Sequence, residues 1–342
     1  MTSRPVVVVT RRLPDAVEQA LASFCDARFN ATDEPLSREA LVAALREADA
    51  VLCTVTDRFD AALLSAGGFR AKALVNFGVG YNHIDIAAAQ RAGLVVTNTP
   101  DVLTDATADI AVTLMLSVMR RASEGERALR AGAWTGWRPT HHMGTHVTGK
   151  TVGIIGFGRI GRAFAERCSG GFRMPVLWWH PGEPSLPLPS HSWHRVDSVE
   201  ALLRESDVVS LHCPARPETK HLINAERLAL MKPSAFLINT ARGDVVDESA
   251  LVDALAAGTI AGAGLDVYER EPVVHPGLLA SEKAVLLPHL GSATTETRVA
   301  MGMRAVENLR AVLEAREPTD VVRGLGSSAG KPVGDQHNSW ER

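Results

Sequence analysis

Arg242, Glu271 and His289 bring a guanidinium, a carboxylate and an imidazole to three comparable places in the chain. Arg242 follows the apolar run "AFLINT", Glu271 follows "GAGLDV" across a short loop, and His289 closes "AVLLPH". Each run reads as a strand, and in an open parallel sheet ligands bind outside the carboxyl ends of the strands. A guanidinium is permanently charged and can hold a carboxylate through two parallel hydrogen bonds. An imidazole titrates near ~6.5, and a neighbouring carboxylate favours its charged form. Such a set suits hydride addition to a carbonyl, where negative charge builds on oxygen and a proton must follow.

A hydride needs a donor, and a second motif indicates one. Gly156-Phe157-Gly158-Arg159-Ile160-Gly161 fits GxGxxG after the strand-like "VGII" and at the head of an amphipathic helix. In that context the glycines allow a tight turn, close approach of a pyrophosphate and close helix packing. The helix start then faces the anion with unpaired amides. About 20 residues further on, where an acid often reads the adenosine ribose, the chain has His180, followed by Pro181, Gly182 and Glu183. No arginine follows at once to pair a 2′-phosphate, although Arg195 could fold back. The cofactor is therefore expected to be NAD(H) or NADP(H), with the preference undecided.

Apolar strand-like runs alternate with helical patterns through nearly the whole chain, which is the βαβ signature. Strands are expected at Val6–Thr10, Val51–Val55, Ala73–Phe77 and Leu94–Asn98. A second series is expected at Val152–Gly156, Val176–Trp179, Val208–Cys213, Ala235–Asn239, Gly262–Val267 and Ala284–Leu287. Thr104 to Arg121 reads as one long helix with capping oxygens at its Thr/Asp-rich start and two arginines at its negative end. A final amphipathic helix from Thr294 is expected to return to the first series, ahead of a Gly/Ser/Pro-rich tail that reads as disordered.

The 342 residues are enough for two cored domains, and an apolar fraction of 46% with 22% charged residues is ordinary for a globular protein. A net charge of −3 without a Lys/Arg block argues against nucleic acid as a partner. The longest apolar stretch, Ile110 to Met119, is too short to span a bilayer, and the start of the chain shows no signal-peptide pattern. Cys25, Cys53, Cys168 and Cys213 are scattered, which reads as reduced thiols in a cytoplasmic protein with no metal site.

With these motifs in place, the sequence resembles the D-isomer-specific 2-hydroxyacid dehydrogenases, and among them the glyoxylate/hydroxypyruvate reductases, from Val6 to about Val321. The stretches that carry the resemblance include "NFGVGYNHID", "GKTVGIIGFGRIGRA", "LINTARGDVVDESAL", "GAGLDVYEREP" and "LLPHLGSAT". It implies a fold of two doubly wound parallel-sheet α/β domains. A Rossmann cofactor domain, 102–291, would be inserted into a flavodoxin-like substrate domain, 1–101 and 292–321, with 322–342 as the tail. It implies that Arg242 grips the substrate carboxylate and carbonyl, that His289 is the acid/base and that Glu271 orients it. The Val79 and Gly80 amides, on the other domain, would receive the carboxylate, and Asp266 would hold the nicotinamide carboxamide. Thr107, Cys213, Pro214, Thr240, Ala241, His289 and Gly291 fall where relatives line the cofactor, alongside the glycine turn and His180.

The resemblance further implies a small 2-keto or 2-hydroxy acid substrate and a homodimer formed through Thr104–Arg121 and the 134–149 connection. Val79 carries no charge, which disfavours phosphite, and Glu271 stands where formate dehydrogenases of the superfamily place Gln. Glyoxylate or hydroxypyruvate is the expected substrate, with 2-ketogluconate and phenylpyruvate as alternatives. A non-catalytic, NAD(H)-sensing corepressor-like protein is the rival from another class, because fold alone does not specify function. His141, in "WTGWRPTHHMG", is the one further histidine with an expected selectivity role.

Overall fold

The computed structural model describes residues 4–182 and 193–323, which form two compact units, 4–99 with 302–323 and 100–182 with 193–301. The first unit holds a five-stranded parallel sheet of β1 (Val6–Val9), β2 (Asp26–Phe29), β3 (Ala50–Cys53), β4 (Ala73–Asn76) and β5 (Val95–Thr97). Their order is β2-β1-β3-β4-β5, a doubly wound arrangement of the flavodoxin type. Central strands β3 and β4 are buried at every position, as expected of parallel strands covered on both faces. Leu41, Leu45, Val51, Phe59, Leu74 and Val96 form the core on one side.

The second unit holds β6 (Val152–Ile155), β7 (Val176–Trp179), β8 (His194–Arg195), β9 (Val208–Leu211), β10 (Phe236–Asn239), β11 (Gly262–Leu265) and β12 (Ala284–Leu286). The order β12-β11-β10-β9-β6-β7-β8 reverses direction at β6, the topological switch point where open α/β sheets bind ligands. The helices Thr104–Met119 and Arg159–Phe172 supply Leu114, Met115 and Phe164 to one core, which includes Trp178 of β7. On the other face Leu202, Leu203, Leu251 and Leu255 pack from the helices Val199–Glu205 and Glu248–Ala257. Each fully buried side chain of this size contributes about 1.5–3 kcal/mol, so the strand ends rest on a rigid layer. All four cysteines are free and buried, and no helix among the described residues is long and apolar enough to cross a membrane.

Four details differ from the sequence reading. β2 and β8 were not expected, because "DARF" and "HR" are polar edge strands, half-exposed or fully exposed, without the apolar run of a central strand. The single helix Thr104–Arg121 is two helices, Thr104–Met119 and Ala122–Arg130, broken at Arg121 with φ 54°. The Met119 carbonyl instead accepts from the Thr145 amide at 2.7 Å, and Gly144 lies so close that a Cβ would stand 2.5 Å from the same oxygen.

The expected capping oxygens are also absent from the start of that helix. Its N-cap is Leu103 with no side-chain bond, and Thr107 Oγ1 donates backward to the Leu103 carbonyl at 3.0 Å. Finally, Val322, read as the first residue of the tail, is buried in the first unit, its amide bonded to the Val96 carbonyl at 2.8 Å. The rest of the expected tail, from 324, lies outside the described residues.

Candidate active site

The ends of β10, β11 and β12 bring the three chemical groups together. Asn239, the last residue of β10, is buried and organises the turn that follows. Its Nδ2 donates to the Arg242 carbonyl at 2.9 Å, and its Oδ1 accepts from the Ala241 amide at 3.0 Å. Arg242 is partly buried, and its Nη1 donates to the Ala241 carbonyl at 2.6 Å. Burial pushes its guanidinium down from the ordinary arginine value, while the charges of Glu271 and Asp244 oppose the shift.

The next residue shows why glycine is required there. A Cβ on Gly243 would lie 1.8 Å from the Tyr268 carbonyl carbon, so the two loops press backbone to backbone. This contact sets the Arg242 turn directly against the loop that carries Glu271.

Glu271 uses both oxygens. Oε1 accepts from the Tyr268 amide at 3.0 Å, and Oε2 meets His289 Nδ1 at 2.8 Å. Burial alone would push the Glu271 carboxyl up. The bond and charge of His289, the Tyr268 amide and the Arg242 charge outweigh it and hold the group below the usual carboxylate range. Nδ1 of His289 is thereby committed to a carboxylate, which leaves Nε2 as the nitrogen for exchange with a ligand. Both side chains keep about a third of their surface open, 33% for Glu271 and 32% for His289.

His289 has φ 56°, in the left-handed region, which costs a non-glycine residue roughly 1–2 kcal/mol. Asp266 holds it there. Its carbonyl accepts from the His289 amide at 3.0 Å, its Oδ1 from the Leu290 amide at 2.6 Å and its Oδ2 from the Gly291 amide at 2.8 Å. Thr107 Oγ1 closes the loop, its single proton shared between the Leu103 carbonyl and the Gly291 carbonyl, each at 3.0 Å. Burial raises the Asp266 carboxyl, and the two loop amides and the His289 charge act against that rise. Asp266 and Thr107, both expected to line a cofactor, also hold the imidazole-bearing loop.

A second clamp went unseen in the sequence. Glu248 is buried and accepts from the Glu269 amide at 2.7 Å, while the Glu269 carboxylate meets His221 Nε2 at 2.9 Å. Glu248 gave no signal because an acid in the first turn of a helix, beside the N-cap Asp247, looks like an ordinary dipole partner. Asn239 was equally silent, being one polar residue at the end of an apolar run.

The glycine turn follows β6 at the switch point. Gly156 has φ 94°, and a Cβ there would come within 2.5 Å of the Cys213 amide nitrogen after β9. A Cβ on Gly161 would stand 2.3 Å from the Gly156 carbonyl oxygen, so the helix Arg159–Phe172 packs closely on the turn. Gly158 differs, because a Cβ there would meet nothing within 4 Å. The turn thus has two closed sides and one open side at a 14-residue helix start, which fits a dinucleotide pyrophosphate. Thr240 Oγ1, buried and without a partner among the described residues, adds an unsatisfied group at the same strand edge.

Phe157 is buried against Trp178, and Arg159 is ion-paired with Asp101. Pro214 and Cys213 follow β9, beside Gly156. Ile160 is partly buried in the first turn of the helix.

Val79 and Gly80 stand in the first unit, beyond β4. Asn76 Nδ2 donates to the Gly78 and Gly80 carbonyls and Asn98 Nδ2 to the Val79 carbonyl. Among the described residues no hydrogen bond engages the Val79 or Gly80 amide. His141 lies tilted against His142, ring centres 3.9 Å apart, and His142 pairs with Glu124.

Comparison with known proteins adds the following. Residues 112–291 match the family model "D-isomer specific 2-hydroxyacid dehydrogenase, NAD binding domain". A glyoxylate reductase of Thermococcus litoralis is 42% identical over 323 residues, covering 93% of this chain and 97% of that protein. Among solved structures, a glyoxylate reductase from Paecilomyes thermophila has a TM-score of 0.81 at 35% identity, covering 94% of this chain and 99% of its own. An NADPH-dependent glyoxylate/hydroxypyruvate reductase from Sinorhizobium meliloti, solved with NADP and malonate, has a TM-score of 0.82 at 34% identity, covering 94% and 97%.

Proposed function

We propose that this chain, which belongs to the D-isomer specific 2-hydroxyacid dehydrogenase family, reduces a small 2-keto acid to the D-2-hydroxy acid, glyoxylate or hydroxypyruvate foremost. The observation that carries the reading is the 2.8 Å contact of His289 Nδ1 with Glu271, beside Arg242 and at the same edge of the sheet as an open glycine turn. Glyoxylate is favoured because the relatives named above act on it by name.

A bound reduced nicotinamide supplies the hydride. The chain does the rest. Arg242 holds the substrate carboxylate in its fork and draws charge onto the carbonyl oxygen. As the carbonyl carbon accepts hydride, the π electrons move to oxygen and the oxygen takes the proton from His289 Nε2. Glu271 stabilises the imidazolium before transfer and keeps Nδ1 as the protonated nitrogen afterwards. The unengaged amides of Val79 and Gly80 support a carboxylate-binding role for their loop. The same proposal makes the protein a homodimer, supported by the exposed Leu129, Trp134, Trp137 and Met143 on and after the helix Ala122–Arg130. Sedimentation giving only a monomer would remove that part.

Glu271→Gln tests the pairing. The variant keeps a hydrogen-bond acceptor but loses the charge that favours the imidazolium. Without the carboxylate that engages Nδ1, the imidazole is less well held for proton transfer, and kcat for reduction at neutral pH should fall about 10–100-fold. An unchanged kcat would separate Glu271 from proton transfer. The whole reading is tested with the purified chain, NADH or NADPH, and a panel of glyoxylate, hydroxypyruvate, 2-ketogluconate and phenylpyruvate. Loss of reduced-nicotinamide absorbance with the smallest substrates is expected, and no oxidation with any member of the panel overturns it.

A further inference from the structure

The turn that carries Arg242 and the loop that carries Glu271 are joined a second time, through His221. The His221 amide donates to the Asp244 carbonyl at 2.8 Å, just beyond Arg242 in the chain. The Ile223 amide donates to the Val245 carbonyl at 3.0 Å, and the Asp247 amide returns to the Ile223 carbonyl at 2.9 Å. Ile223 and Val246 thereby form a short parallel bridge. The backbone of 221–223 is thus fixed to the segment that leaves Arg242.

The His221 side chain reaches the other loop. Its Nε2 meets the Glu269 carboxylate at 2.9 Å, and its Nδ1 stands 4.0 Å from the Asp247 carboxylate. From the helix Glu248–Ala257, buried Glu248 accepts from the Glu269 amide at 2.7 Å. Glu269, close before Glu271 in the chain, is therefore held by its backbone and by its side chain. His221 adopts φ 48°, in the left-handed region. A strained non-glycine backbone persists only where its surroundings over-determine it. Here the bridge on one side and Glu269 on the other do so.

We propose that His221 and Glu269 are positioning residues, whose contact sets the Glu271–His289 pair in register with the Arg242 fork. The inference rests on the 2-keto acid reductase reading of that site. In that reading Arg242 holds the substrate and His289 delivers the proton, so the rate depends on how the two loops are spaced. A displacement of about 1 Å in such a site can cost on the order of 100-fold in rate. His221 and Glu269 keep 35% and 25% of their side chains open, and the Gly243–Tyr268 contact remains without them, so a smaller loss is expected.

The test is steady-state reduction, by the full chain, of the 2-keto acid that the parent turns over best, with dinucleotide binding and Tm measured on the same preparations. Glu269→Ala should lower kcat about tenfold. KM for the keto acid should stay within about threefold, because Asn239 and Gly243 still hold the Arg242 turn. The Kd for reduced dinucleotide should stay within about twofold, since the glycine turn follows a different strand. Glu269→Gln should return kcat to within about twofold of the parent, because an amide can pair with either imidazole tautomer. His221→Asn breaks the same contact from the other side; asparagine tolerates the left-handed backbone but ends at the level of Nδ1, short of Glu269. It should match Glu269→Ala, and the double variant should be no slower than either single one. A lower Tm with parent-like kcat in both single variants would make the contact purely structural and overturns the proposal. So do a Glu269→Gln variant as slow as Glu269→Ala, and single losses that multiply in the double variant. A parent chain inactive on every 2-keto acid overturns the reductase reading and this inference with it. An active parent with parent-like single variants overturns this inference alone.

Discussion

Replacing His289 by alanine should lower kcat for 2-keto acid reduction by about a thousandfold while the Kd for reduced dinucleotide stays within about twofold. Glu271 engages the imidazole at 2.8 Å, and on the proposed acid role its removal leaves the developing alkoxide without a proton source. Dinucleotide binding should survive because the glycine turn lies on a different strand end, after β6, with its own packing against Cys213 and the helix Arg159–Phe172. Single-turnover kinetics and a fluorescence titration on the same preparation separate the two quantities. If nucleotide affinity falls in step with turnover, the change has disturbed the Asp266 loop and the acid/base role is unsupported. Position 289 sits at φ 56°, so Asn, which tolerates that conformation better than Ala, serves as the second variant and should be equally inactive.

The second large effect is expected at Arg242. Arg242→Lys preserves the charge but replaces a planar fork with a single ammonium, and kcat/KM should fall about 100-fold or more. Lysine also lacks the geometry to bond the Ala241 carbonyl while facing a carboxylate. On the proposed role, in which the fork both binds the carboxylate and stabilises the carbonyl oxygen, the loss should appear in KM as well as in kcat. Parent-like kcat/KM in the lysine variant would take Arg242 out of its assigned role. The turn itself should persist in the variant, because Asn239 and the Gly243 contact hold its backbone independently of the side chain.

Much of this was legible in the chain because parallel sheets buried on both faces produce continuous apolar runs. "AFLIN", "VGII" and "AVLL" announce β10, β6 and β12, and a chemical residue just past each run is already placed at a ligand-binding edge. Polar edge strands lack that signal, so β2 and β8 were invisible, although β8 carries Arg195. The break at Arg121 was equally hidden. Nothing local stops the helical pattern there; the partner of the Met119 carbonyl comes from Thr145.

The order of residues alone determined the alternating α/β architecture, the glycine turn and the three types of chemical group at strand ends, because burial periodicity and glycine geometry are local properties. Only the tertiary structure decided which groups touch. Glu271 meets His289 across 18 residues, Asp266 and Thr107 hold the His289 loop from 25 and 184 residues away, and Glu248 grips the Glu269 amide across 21. Those contacts depend on strand order and loop packing, which place distant residues side by side without leaving a pattern in either local segment. The same reason separates Arg242 as a charge after a strand from Arg242 as a fork held against the Glu271 loop. The first is written in the sequence, and the second exists only where Gly243 and Tyr268 meet.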